Sequence, residues 1–129
     1  MNQTVQSARQ IADCYIAVWN ETDAARRSVL LAEGWEASAT YADPMMQARG
    51  REHISALIGA VHERFPGFRF ALDGQPDAYT DKIRFSWMLG PADQADMIKG
   101  TDFAVVADGR LSSVTGFLDK VPTSAETGN

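Results

Sequence analysis

Three polar side chains in otherwise apolar settings could do chemistry in this chain. The first is Asp43, in the stretch ATYADPMM at positions 39–46. Thr40 and Tyr41 favour an extended chain, and Pro44 stops it. Asp-Pro at a strand end is a common turn initiator, so Asp43 is either a turn residue or a carboxylate placed to accept a proton. The second is Asp102. Asp108-Gly109 is a strong two-residue hairpin signal. If those two alone form the loop, Asp102 faces Thr115 and Ala104 faces Ser113. Along its strand Asp102 shares a face with Ile98, Gly100, Ala104 and Val106, and the small neighbours leave room in front of the carboxyl group. A carboxyl group buried without a charged partner tends to stay protonated and can then donate to developing negative charge. The structural alternative pairs Asp102 with Lys99, Arg84 or Thr115. The third is Tyr15, either a core aromatic whose hydroxyl reaches the surface or a donor in a pocket.

The elements that must position these groups follow from periodicity. Val5, Ala8, Ile11, Ala12, Tyr15, Val18 and Trp19 recur at three- and four-residue steps, which marks an amphipathic helix. NETD breaks it, and Thr22 or Asp23 can cap a second helix through about Glu33, ended by Gly34. Trp35 to Asp43 reads as a loop and a short strand. A third helix carries Ile54, Leu57, Ile58, Val61 and Phe65 in one stripe until Pro66-Gly67. From Phe68 onward the chain is β-like. A strand from Phe68 bends at DGQPD and runs to Tyr79, and Thr80-Asp81 turns. Ile83, Phe85, Trp87 and Leu89 then alternate with polar residues. Met97 to Ala107 and Leu111 to Asp119 form the final hairpin. Helices followed by antiparallel strands predict an α+β fold, with helices covering one face of a curved sheet. The mouth of such a cone is a natural ligand site.

Composition narrows the function. The chain has 129 residues, 45% of them hydrophobic, which suits one domain at 1–122 with a small polar tail at 123–129 expected to be disordered. A formal charge of −5 argues against a broad nucleic-acid footprint. Arg26-Arg27 and Arg49-Gly50-Arg51 read as solvated helix faces. No apolar run is long enough for a membrane span, and no apolar leader segment is evident, so a cytoplasmic protein is expected. Cys14, the single cysteine, is expected to pack as a small hydrophobe on the first helix. His53 and His62 are nine residues apart on one helix and no carboxylates join them at ligand spacing, so no metal and no cofactor are expected.

The succession CYIAVWN, ATYADP, GREHISALI and KGTDFAVVADGRLSSVTGFLD resembles the NTF2-like superfamily, closest to its SnoaL-like and ketosteroid-isomerase-like members. The likeness spans residues 8 to 119. It implies a cone-shaped α+β barrel with a curved antiparallel or mixed sheet round N-terminal helices, and a homodimer through the sheet. By that resemblance Asp43 is the base, and Tyr15 and Asp102 are the oxyanion donors. The stretch from Tyr15 to Asp43 is a few residues longer than in the isomerases, with Trp35 inside it. The implied activity moves a proton α to the carbonyl of a small hydrophobic ligand, as an isomerase or polyketide cyclase would. The ligand's carbon skeleton is expected against Trp19, Trp35, Tyr41, Met45, Ile54, Ile58, Phe85 and Trp87. Two alternatives stay open at this point: a non-catalytic ligand-binding or dimerisation module, and an epoxide-hydrolase-like enzyme. The second needs an Asp-Arg-Asp relay, and Arg84 lies on the face opposite Phe85 and Trp87.

Overall fold

The computed structural model describes residues 3–122, with side chains from residue 8 onward; the expected tail at 123–129 lies outside the described residues. Three helices, α1 (Gln3–Asn20), α2 (Ala24–Gly34) and α3 (Arg51–Arg64), pack against one mixed sheet. Its strands are β1 (Trp35–Ala42), β2 (Gln47–Arg49), β3 (Arg69–Leu72), β4 (Asp77–Tyr79), β5 (Lys82–Gly90), β6 (Ile98–Ala107) and β7 (Arg110–Lys120). The order is β2-β1-β7-β6-β5-β3, with β4 also on β5, and the sheet is not closed into a barrel. β1 and β7 run parallel and the other pairs are antiparallel. The architecture is the expected α+β cone. No helix among the described residues is long and apolar enough to cross a membrane.

Local chemistry sets the helix ends. Asp23 caps α2 by accepting from the Arg26 N–H at 2.9 Å. Asn20 closes α1 onto β3 with two bonds: its amide donates to the Phe70 carbonyl at 2.9 Å, and its oxygen accepts from the Phe70 N–H at 2.8 Å. That clamp fixes α1 against the sheet, and with it the direction in which Tyr15 points. Two surface expectations change. Arg27 is buried, and its guanidinium donates to Ser55 Oγ at 2.9 Å and to the Glu21 carbonyl at 2.7 Å, so it ties α2 to α3 rather than facing water. Cys14 is exposed: it lies one position before Tyr15, off the buried stripe of Ala8, Ala12, Tyr15 and Trp19.

The hairpin register is the informative departure. Asp108 and Gly109 both have positive φ, 54° and 79°, as a tight two-residue turn requires. Ala107 pairs with Arg110 and Val106 with Leu111, as expected. An extra residue, Ser112, then enters β7 as a bulge, its hydroxyl donating to the Val105 carbonyl at 3.2 Å. Beyond it Ala104 pairs with Val114 rather than Ser113, and Asp102 with Gly116 rather than Thr115. Strict alternation from Leu111 would bury Ser113, Thr115 and Phe117 and expose Val114. The bulge instead turns Leu111, Val114 and Gly116 all inward and leaves Thr115 and Phe117 outside.

A short hairpin also precedes α3. Ala42 pairs with Gln47, so residues 43–46 form a four-residue loop and β2 occupies what the sequence left unassigned. The strand expected from Phe68 to Tyr79 is two short strands, β3 and β4, both paired with β5 on either side of the DGQP excursion.

Candidate active site

Tyr15 and Asp102 meet in the core. Asp102 is 1% exposed and Tyr15 is 3% exposed. The Tyr15 hydroxyl donates to Asp102 Oδ2 in a short hydrogen bond, and the Trp87 indole Nε1–H donates to Oδ1 at 3.0 Å. These partners are neutral. Lys99 and Arg84, the expected structural partners, pair outside with Asp73 and Asp77 instead. Asp102 is therefore a buried carboxyl group with no counter-cation among its hydrogen-bond partners.

Two glycines make the arrangement fit. Gly100 pairs with Trp87 across β5 and β6, and a Cβ at Gly100 would run into the Trp87 indole. The small residue expected to leave room before Asp102 thus leaves room for the indole that hydrogen-bonds it. Gly116 faces Asp102 directly. A Cβ there would stand 2.7 Å from Asp102 Oδ1 and 3.5 Å from the Asp43 Cβ. Gly116 therefore lets both acids approach the same point of the sheet.

Asp43 is half-buried at the end of β1. Its Oδ1 accepts from the backbone N–H of Met45 at 2.8 Å and of Met46 at 2.9 Å, and its own N–H donates to the Met46 carbonyl at 2.9 Å. That is an Asx turn, and it builds the loop to β2. Oδ2 faces the other way and accepts from the Tyr41 hydroxyl at 2.6 Å. One oxygen makes the turn; the other points toward the phenol cluster.

Electrostatics follow from burial. Desolvation pushes the Asp102 carboxyl up to about 6 from its ordinary 3.8; the bonds from Trp87 and Tyr15 oppose this, while the nearby charges of Asp43 and Asp119 add to it. Burial also raises the Tyr15 and Tyr41 hydroxyls, with Asp102 adding to both, so both phenols stay protonated donors at neutral pH.

Most of the expected wall residues join one aromatic cluster. Tyr15 contacts Trp19 (ring centroids 6.1 Å apart), Trp35 (5.8 Å, stacked) and Phe85 (4.9 Å, edge-on). Trp19 contacts Tyr41 and Phe70, and Phe70 contacts Trp87. Trp35, inside the extra length before Asp43, is the residue stacked on Tyr15. Ile54 and Ile58 are fully buried on α3 as part of the general core, whereas Met45 is 70% exposed beside Asp43. A cavity of about 190 Å³ opens between α1, α2 and the β6–β7 turn, lined by Tyr15, Val18, Leu30, Glu33, Trp35 and Leu111 among others. Neither Asp43 nor Asp102 lines it, so Tyr15 and Trp35 are the groups through which it meets the cluster. Sequence pattern missed Phe70, Gly116 and the polar roles of Trp87 and Tyr41. The spacing of Leu111, Val114 and Gly116 was the available signal for the glycine.

Residues 12–114 match the family model of the SnoaL-like domain. Among solved structures, a candidate isomerase of the SnoaL-like family from Agrobacterium tumefaciens is 42% identical, with 88% of this chain and 98% of that chain covered and a TM-score of 0.85. A candidate ketosteroid isomerase from Kribbella flavida is 21% identical, covering 97% of this chain and 89% of that one, with a TM-score of 0.68. A candidate polyketide cyclase from Sinorhizobium meliloti shares 14% identity over 83% of this chain and 93% of that one, with a TM-score of 0.67. The last two share the fold alone. No curated protein matches the chain significantly. The chain belongs to the SnoaL-like family.

Proposed function

We propose that this protein is a cofactor-free enzyme that moves a proton α to the carbonyl of a small hydrophobic substrate, as an isomerase or cyclase does. The observation that carries the proposal is the buried, cation-free Asp102 bonded to the Tyr15 hydroxyl, with Asp43 across Gly116. Asp43 Oδ2 takes the α-proton: the C–H bond breaks, an O–H bond forms on Asp43, and the electron pair moves to the carbonyl oxygen as an enolate. When Asp102 is protonated its O–H turns to the Tyr15 oxygen, which frees the Tyr15 O–H to hold that oxygen. Asp43 then returns the proton to another carbon. The cavity against Tyr15 and Trp35 is the proposed way in.

The same proposal includes a homodimer through the outer sheet face, where Phe103 and Phe117 are 40% and 58% exposed. It also includes a cytoplasmic location, where the exposed Cys14 thiol would stay reduced. One observation favours a non-catalytic binding module instead: both Asp43 oxygens already accept hydrogen bonds. The epoxide-hydrolase variant lacks support, because Arg84 is exposed and paired with Asp77.

Deuterium uptake separates these readings. Conjugated and β,γ-unsaturated cyclic ketones are incubated with the protein in D₂O and followed by NMR. We expect exchange at the α- or γ-carbon, lowered by about 10²–10⁴-fold in Asp43→Asn. Exchange unchanged by that substitution removes Asp43 as the base. No exchange above buffer across the panel favours the binding module.

A further inference from the structure

Trp19 lies one helical turn beyond Tyr15 on α1, so both side chains share a face. It is 3% exposed, and its ring packs against Tyr15, Tyr41 and Phe70. Its backbone is held from outside the helix as well. His62 on α3 donates from Nε2 to the Trp19 carbonyl at 2.6 Å, since a carbonyl can only accept. The indole is thus fixed at both ends. Yet its Nε1–H is fully buried and has no hydrogen-bond partner. Buried N–H groups in native proteins are almost always satisfied, by protein, by water or by a ligand. The Trp87 N–H, on the other side of the cluster, is satisfied by Asp102.

The ring that carries the orphan N–H packs against two phenols, Tyr15 with ring centroids 6.1 Å apart and Tyr41 with ring centroids 5.3 Å apart. Tyr15 gives its own proton to Asp102. We propose that the Trp19 indole N–H is a second ligand donor, which binds the carbonyl or enolate oxygen of the substrate beside the Tyr15 hydroxyl. The ligand class rests on the proposed function; the donor role rests on the unpartnered N–H. An indole N–H only donates, so the site accepts an oxygen lone pair and rejects an ammonium group at the same place. Trp19 then contributes specificity for ketones over amines of the same shape, as well as binding.

The test uses the ¹⁵N-labelled full chain. Its three tryptophans give three indole N–H signals, and Trp19→Phe identifies the one from Trp19. We expect that signal to move downfield on titration with 2-cyclohexenone and to stay in place with cyclohexylamine. We also expect Trp19→Phe to bind the enone roughly tenfold more weakly, the loss of one hydrogen bond. The shift is read in the unaltered protein, so the result does not depend on the variant folding. A Trp19 signal that stays put at saturating enone, or no shift of any indole signal, overturns the proposal. So does a folded Trp19→Phe chain that binds the enone as tightly as the parent. Enone that moves the Trp19 signal but never exchanges deuterium leaves this inference standing and removes the catalytic one.

Discussion

Asp102→Asn tests the electrostatics of the core. Asparagine has the shape of the protonated carboxyl group: its oxygen can accept from Trp87 Nε1, and its amide can donate to the Tyr15 oxygen. The Asp102 carboxyl rises from 3.8 to about 6 on folding, mainly through burial. The folded chain therefore takes up a proton that the unfolded chain has released between those values. A raised acid contributes fully to stability below its unfolded value and loses that contribution as pH rises through its folded value. About two units at 1.36 kcal/mol each amount to roughly 3 kcal/mol by pH 7, lost progressively from about pH 4 to pH 6. The residue is 1% exposed, so solvent screening takes little away. The Asn variant carries no such term. Urea unfolding followed by tryptophan fluorescence, at one protein concentration, gives both stabilities at each pH. We expect the variant to be more stable than the parent by about 1–3 kcal/mol at pH 7, with the gap shrinking towards zero at pH 4. A difference constant between pH 4 and pH 7, or a variant less stable at pH 7, refutes the reasoning.

Two further outcomes follow from the sheet. Gly116→Ala places a methyl 2.7 Å from Asp102 Oδ1, and should lower the urea-unfolding free energy by about 1–3 kcal/mol through overpacking; an unchanged midpoint would show that the carboxyl group moves freely. Phe117→Glu puts a charge at the centre of the exposed outer face and should convert a dimer to a monomer by light scattering, with helical content by circular dichroism unchanged. A parent chain that is already monomeric, or a variant that stays dimeric, rejects that face as the interface.

The elements were legible in the sequence because their signals are periodic. Ala8, Ala12, Tyr15 and Trp19 mark the buried side of α1; Ile83, Phe85, Trp87 and Leu89 mark that of β5; Asp108-Gly109 marks the hairpin turn. The bulge at Ser112 was hidden because a turn signal fixes pairing only next to the turn. One inserted residue shifts everything beyond it. The shift replaced Thr115 by Gly116 opposite Asp102, and so changed the neighbour of the buried acid from a hydroxyl-bearing side chain to a glycine whose missing Cβ leaves the room that the carboxyl group fills. Tyr15, Asp43 and Asp102 do come together, but their couplings depend on side-chain direction. No spacing rule says that Trp87 reaches over Gly100 to Asp102. Nor does one say that Tyr41 turns its hydroxyl to Asp43. Arg27 misled for the same reason: a charge on a helix reads as solvated unless its partners, here Ser55 and the Glu21 carbonyl, are known.

The two meanings of Asp43 divide between its two oxygens. Oδ1 is committed to the turn by the Met45 and Met46 N–H groups, and any side chain with a carbonyl oxygen at that place can do the same. Oδ2 is held only by the Tyr41 hydroxyl. Tyr41 is a protonated donor at neutral pH, since burial raises it, and that hydroxyl can rotate. Asparagine at 43 keeps the accepting oxygen toward the backbone and places its amide toward Tyr41, which can then accept instead of donate. The Asx turn therefore survives Asp43→Asn while proton acceptance does not. A fall in deuterium exchange in that variant thus reports on the base, because the structural half of Asp43 is still in place.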